Sequence, residues 1–281
     1  MINNNSQQMF EKIAKDGTWQ ANYDSTTYIT YNFIARREAV RRMLKKDTFS
    51  SALDLGCGAG DYFEILSSVS NRYFGIDFSP NMIRQTRLNY INFPSQPICI
   101  VGDGEKLPFI DDSFDLICAI GFIEYFRDPN IVIREIARVL KPGGTLIMQS
   151  YQVDFYNKIL KMFGLDLMKR AIKYVYRKFW RSTGIGSVIN KSYGERQLDQ
   201  LMIRFGFYKI CCDYNNFNVF PKTIRRLFPN AYIGCSEKIT KWNSNIFSVF
   251  AVNYIGRYVI DKNDMIIAEK GGKPNLGKKD C

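Results

Sequence analysis

Residues Leu53 to Gly60 read LDLGCGAG, and this loop limits the possible folds more than any other stretch of the chain. Asp54, Gly56, Gly58 and Gly60 stand at alternating positions behind the apolar run SALDL. Such a run ending in glycines reads as a strand that turns sharply into a helix, where the backbone approaches a ligand and a Cβ would clash. The dinucleotide pattern G-x-G-x-x-G needs its third glycine at position 61, which is Asp61, so that reading loses. Taken alone, the loop could still be an incidental glycine-rich turn.

The surrounding chain repeats strand and helix. Tyr62 to Val69 are helix-like, and Arg72 to Ile76 form a second strand ending in Asp77. Ser79 and Pro80 start a helix as N-cap and first residue. The runs PICIV and FDLICAI supply a third and a fourth strand, ending at Gly102-Asp103 and at Gly121. Asp128-Pro129 opens a helix through Leu140, and Lys141-Pro142-Gly143-Gly144 stops it before a fifth strand, TLIMQS. This alternation predicts an α/β fold with a doubly wound parallel sheet. After Ser150 the rhythm breaks, then GERQLDQLMIRFGF reads as a helix that Gly206 ends before FYKICCD.

Asp77 lies about 20 residues past the loop, where a carboxylate can accept both hydroxyls of a ribose. Asp103 ends the third strand, placed to accept from an adenine amino group. Each alone could be an ordinary turn Asp, but in this order they outline one nucleoside pocket.

The segments LDLGCGAGDY, GIDFSPNMI, VGDGEKLPF, DDSFDLICAIGFIEYF and VLKPGGTLIM resemble successive motifs of Rossmann-like (class I) S-adenosylmethionine-dependent methyltransferases, small-molecule branch. The resemblance covers about residues 50 to 150, and it implies S-adenosyl-L-methionine as cofactor. It implies that Asp54, Gly56 and Gly58, in the loop closed by Gly60, hold the methionine part and that Asp77 holds the ribose. Met82 would pack on the adenine and Asp103 bind its amino group. Ile120 and Gly121 would give backbone contacts by the sulfonium. Gly104 stands where the family usually has Ala, and Glu124-Tyr125 where it often has a His pair. Seven strands are also implied, the last antiparallel and inserted between the fifth and sixth, with FYKICCD and NIFSVFAVNY filling the final places. The expected organisation is an N-terminal helical segment over the active site (1–46), the cofactor-binding core (47–150), an inserted basic, aromatic cap (151–191), the rest of the sheet (192–260) and a tail (261–281).

Composition narrows the chemistry. The chain has no histidine, which excludes Ser-His-Asp and Cys-His catalysis and histidine-ligated metals. Seven cysteines at irregular positions form no CxxC pair, so neither a disulfide framework nor a metal site is expected. Cys99 and Cys118 read as small core residues. No run reaches the roughly 18 to 20 apolar residues of a membrane span, and the amino terminus lacks a signal-peptide pattern, so a cytoplasmic location is expected.

On the acceptor side, Glu124 is the candidate base, set against an ordinary solvated Glu at the start of a helix. Tyr23, Tyr28 and Tyr31 are read either as a cover over the cofactor or as an aromatic cluster packing a helix onto the sheet. The net charge of +12 raises the question of a polyanionic substrate. Gly121-Phe122-Ile123-Glu124 replaces the Asn/Asp-Pro-Pro-aromatic motif of nucleic-acid amino methyltransferases, which argues against a nucleic-acid substrate. Much of the charge lies in 154–181, where basic residues interleave with aromatic and aliphatic ones. That pattern suits a solvated cap over the active site, peripheral contact with the inner face of a membrane, or both. The expected acceptor is a small or lipid-linked molecule. A nucleic-acid or protein methyltransferase, and a cofactor-binding protein without activity, are the alternatives.

Overall fold

The computed structural model describes residues 4–16, 28–151, 192–217, 228–243 and 251–263. Seven strands form one sheet: β1 (Phe49–Leu55), β2 (Ser70–Asp77), β3 (Ile98–Val101), β4 (Phe114–Ala119), β5 (Leu140–Tyr151), β6 (Phe207–Phe217) and β7 (Ala251–Ile260). Their order is β3-β2-β1-β4-β5-β7-β6. β1 to β5 pair in parallel, while β7 runs antiparallel to both β5 and β6. The expected insertion of the last strand is therefore present. The winding reverses between β1 and β4, so their carboxyl ends open the crevice where ligands of such sheets bind.

Both faces of the sheet are covered, which explains why its central strands are almost continuously apolar. Along β4, Ile117 packs into one core with Val132, Ile133 and Ile136 of α5 (Pro129–Val139). Its neighbours Leu116 and Cys118 pack into the other, with Ala39 and Val40 of α2 (Tyr28–Leu44) and Phe63 and Leu66 of α3 (Phe63–Val69). The alternation follows the two-residue period of a strand. α6 (Glu195–Ile203) adds Leu198 and Met202 to the first core, and α7 (Pro229–Asn243) packs beside β6.

Local chemistry sets the helix starts. Ser79 Oγ accepts the Met82 amide at 3.2 Å and Pro80 opens α4 (Pro80–Asn89). Asp128 likewise accepts the Asn130 amide at 3.0 Å before Pro129.

Three expectations need correction or closer definition. The helix expected to run through Leu140 ends at Val139, because Leu140 already pairs with Phe114. The next pairing joins Leu116 to Thr145, so Lys141 to Gly144 bulge out of β5 rather than precede it. Lys141 Nζ lies 2.9 Å from Asp115 Oδ1 and pins that bulge to β4. Tyr31 donates to Ser236 Oγ at 3.1 Å and sets its ring edge against Tyr232, so it packs α2 on α7. Tyr23 and the side chain of Tyr28 lie outside the described residues, as do 152–191, the expected cap, and 245–250 of the last expected strand.

Candidate functional site

The glycine loop leaves β1 at Leu55 and is strapped to β2 at once. The amides of Gly56 and Cys57 both donate to Ile76 O, at 2.8 and 3.0 Å. Gly56, Gly58 and Gly60 all have positive φ, at 76°, 53° and 90°, backbone that only glycine adopts freely. α4 holds the loop from outside: Thr86 Oγ1 donates to Gly58 O at 2.7 Å and Asn89 Nδ2 to Ala59 O at 3.0 Å. The Tyr90 hydroxyl donates to Gly60 O at 3.0 Å.

Asp77 links loop and helix. Its Oδ2 accepts the Gly58 amide at 3.0 Å and its Oδ1 the Ser79 amide at 2.9 Å. Burial pushes its carboxyl up to about 6, with those amides pulling the other way. Asp54 is deeper still: burial pushes it up to about 8, opposed by a 2.9 Å hydrogen bond from the Tyr73 hydroxyl.

At these strand ends lies a cleft lined by Leu55, Gly56, Ile76, Asp77, Phe78, Gly102, Gly104 and Phe122. A Cβ on Gly56 would stand 2.8 Å from the Phe122 ring, and one on Gly104 would stand 2.5 Å from it. Both positions must therefore stay bare. Apolar walls with one buried carboxylate and glycine backbone suit a nucleoside, whose flat base and ribose diol need those partners.

The other expected site residues are placed less uniformly. Met82 is buried and packs with Ala59, Ala14, Phe10 and Ile13. Asp103 is exposed and accepts the Glu105 amide at 2.9 Å, at the rim of the cleft rather than in its wall. Ile120 is buried at the end of β4, and Gly121 turns the chain there with φ 64°.

Glu124 is not a solvated residue at the start of a helix. It is fully buried in a 3-10 turn (Ile123–Tyr125), where Oε1 accepts the Tyr151 amide at 3.1 Å and Oε2 has no hydrogen-bond partner among the described residues. Burial pushes this carboxyl up to about 7, against the pull of nearby amides and of Arg36. Phe122, Ile123 and Phe126 around it are also buried.

Two further features bear on the site, and the first was not anticipated. Arg36 of α2 is buried, donates from Nη1 to Gln149 Oε1 at 3.2 Å and to the Tyr151 hydroxyl at 3.4 Å, and reaches Gly121. Its signal was its spacing with Ala39, Val40 and Leu44, the buried stripe of α2. The second is α1 (Asn4–Lys15), which lies over the loop. Phe10 meets Phe78 and Tyr125 edge-on at 5.8 and 5.2 Å, and Glu11 accepts from Asn81 Nδ2.

A family model described as a methyltransferase domain matches residues 53–148. The demethylmenaquinone methyltransferase of Corynebacterium kroppenstedtii is 33% identical over 172 residues, covering 59% of this chain and 68% of that one. The malonyl-[acyl-carrier protein] O-methyltransferase of Buchnera aphidicola is 30% identical over 207 residues, covering 71% and 76%. The chain spans only 43% of a Streptomyces fradiae transposon protein and 63% of the Staphylococcus carnosus demethylmenaquinone methyltransferase. In structure it is similar to the N-methyltransferase NodS of Bradyrhizobium japonicum, solved with S-adenosyl-L-homocysteine: TM-score 0.57, 15% identity, 91% of this chain and 98% of that one. At that identity the likeness is one of fold.

Proposed function

The chain belongs to the class I S-adenosylmethionine-dependent methyltransferases, and on that footing we propose that it methylates a small or lipid-like acceptor. The observation that carries the reading is the cleft at the carboxyl ends of β1, β2 and β3, lined by Gly56, Gly102 and Gly104 and by the buried Asp77 tied to Gly58.

When bound, the cofactor supplies a methyl group on a cationic sulfur whose leaving group departs neutral, so no acid need assist it. In this reading Asp54, Gly56, Gly58 and Gly60 take its methionine end. Asp77 accepts from the ribose hydroxyls, Met82 and Gly104 flank the adenine, and Asp103 accepts from the adenine amino group at the cleft rim. Ile120 and Gly121 line the position of the sulfonium, and Glu124 holds the acceptor's proton. The protein's main contribution is position and exclusion of water, which the buried Phe122, Ile123 and Phe126 support.

A lipid-like acceptor is supported by relatives named for demethylmenaquinone and for a sterol, the latter from Caenorhabditis elegans. The composition of 154–181 supports peripheral contact with an anionic membrane from the cytoplasmic side.

The test is incubation of the full chain and methyl-labelled cofactor with a lipid and metabolite extract of the host. A labelled small molecule is the expected product. Label confined to RNA or protein, or cofactor binding with no turnover, would sink the reading.

A further inference from the structure

Two buried polar atoms at the carboxyl end of β5 have no hydrogen-bond partner among the described residues: Glu124 Oε2 and the Tyr193 hydroxyl. They belong to one corner of the fold. Glu124 hangs from the Tyr151 amide through Oε1. Tyr193 is held by the preceding residue, its amide donating to Ser150 Oγ at 3.2 Å and its carbonyl accepting from that hydroxyl at 2.7 Å. The charge of Glu124 reaches the phenol and adds to the effect of burial, which pushes Tyr193 up to about 12 and keeps its proton in place. A buried polar atom without a partner forfeits its hydration for nothing, and native structures contain few of them. Two at one corner point to a shared ligand.

We propose, resting on the small-molecule reading above, that this corner receives the hydroxyl that is methylated, with Glu124 Oε2 accepting its proton and the Tyr193 hydroxyl donating to its oxygen. The chemistry of the pair selects the class of acceptor. Glu124 offers a lone pair, and Tyr193 offers a proton that no other described residue takes up. A hydroxyl donates once and accepts, so it satisfies both. A hydroxyl also keeps a second lone pair for the methyl carbon, whereas a neutral amine has only one, which the attack uses, and a carboxylate is repelled by Glu124.

The step balances. The acceptor oxygen bonds to the methyl carbon as the carbon–sulfur bond breaks and leaves its electron pair on sulfur, and the proton from that oxygen passes to Glu124. Among the described residues, the groups that act on this carboxylate are Arg36 from α2, Tyr125 on its own turn, the Tyr151 amide of β5 and Tyr193, with Asp128 acting on Tyr193. Only Arg36 among them is a cation, so ionised Glu124 keeps one charge partner while its proton-accepting oxygen has no hydrogen-bond partner among the described residues.

The full chain is incubated with methyl-labelled cofactor and the host extract, and the labelled atom of the product is located by mass fragmentation and carbon NMR. Label in an O-methyl ether is expected, and label in a methyl ester overturns the hydroxyl assignment. Label on nitrogen or carbon overturns the hydroxyl assignment and leaves the small-molecule reading standing, whereas no labelled small molecule overturns that reading and this one with it. With the product's precursor as substrate, Tyr193→Phe is expected to lower kcat by about 10- to 100-fold with KM within about twofold. Glu124→Gln is expected to abolish the rise of kcat between about pH 6 and 8. S-adenosylhomocysteine affinity should stay within about twofold in both variants, since neither residue touches the cofactor cleft. An unchanged kcat in Tyr193→Phe, or a pH rise that persists in Glu124→Gln, overturns the proposal.

Discussion

Gly58 carries two demands at one position: a left-handed backbone and an amide aimed at Asp77. A side chain in that backbone region costs about 1–2 kcal/mol, more when β-branched. Gly58→Val should therefore displace the amide as well as strain the loop. Losing a hydrogen bond to a charged group is worth about 1.5–3 kcal/mol, so Gly58→Val and Asp77→Ala should each weaken S-adenosylhomocysteine binding by about 10- to 100-fold. Calorimetric titration checks this, and undiminished affinity in both variants defeats the site assignment. Asp54 supports a second prediction. Its carboxyl rises from 3.8 to about 8 on folding, so its contribution to stability is fully present below the lower value and is lost as pH rises through the upper one. Asp77 and Glu124, raised to about 6 and about 7, act in the same direction. The cofactor-free protein should melt at a lower temperature at about pH 8 than at about pH 5, and Asp54→Asn, which still accepts from Tyr73, should show a smaller drop. Parallel melting curves for the two proteins would exclude this. Asp54, the glycines and Asp77 were legible because the loop pattern and the strand ends name them. Tyr73 was not: its bond to Asp54 depends on β1 and β2 pairing Asp54 with Gly75. Tyr193 was hidden for a similar reason, since Ser150, which holds it, lies 43 residues away.

Among the elements, the helix starts at Pro80 and Pro129 could be read directly, because capping chemistry is local. The start of β5 could not. Lys-Pro-Gly-Gly has every mark of a helix stop, yet whether a strand begins before or after it depends on Leu140 finding Phe114 across the sheet. The resulting bulge treats its two glycines differently. Gly143 has φ 73° with nothing within 4 Å of a would-be Cβ, whereas a Cβ on Gly144 would stand 2.7 Å from Leu140 Cγ and 2.8 Å from Lys141 O. Asparagine tolerates left-handed backbone, so Gly143→Asn should stay within about 0.5 kcal/mol of the wild type. Gly144→Ala must move backbone, at a cost of about 1–3 kcal/mol. Urea denaturation of the two variants should separate them, and equal midpoints would show that the bulge is looser than its contacts imply.

At the scale of the molecule, alternation alone predicted a parallel sheet, and the place of β7 came from family resemblance, since no local pattern encodes pairing across such a distance. What ties that edge together was equally invisible. Arg36, Gln149, Asn253 and Asn215 form a buried chain across α2, β5, β7 and β6, with Gln149 Nε2 donating to Asn253 Oδ1 at 3.1 Å and Asn253 Nδ2 to Asn215 Oδ1 at 2.9 Å. Patterning assigns amides to the solvent face, so a polar seam inside a sheet reads as surface. Charge is the property of the whole chain that the fold does not explain. Eight Lys and Arg against two Asp in 154–181 leave six net positive charges, half of the +12. Among the described residues no helix is long and apolar enough to cross a membrane, and the attachment proposed is electrostatic and interfacial. Each basic residue near an anionic surface contributes about 1 kcal/mol at moderate salt, and screening shortens its reach from about 10 Å at 0.1 M to about 3 Å at 1 M. The protein should therefore sediment with phosphatidylserine-rich vesicles at about 0.05 M salt, leave them near 0.5 M and ignore neutral vesicles. Reversing Lys169 and Arg170 to Glu removes four units of charge from one stretch and should release the protein at lower salt. Binding that neutral and anionic vesicles share, or that the reversal leaves unchanged, would mean that the segment meets something other than a charged lipid surface.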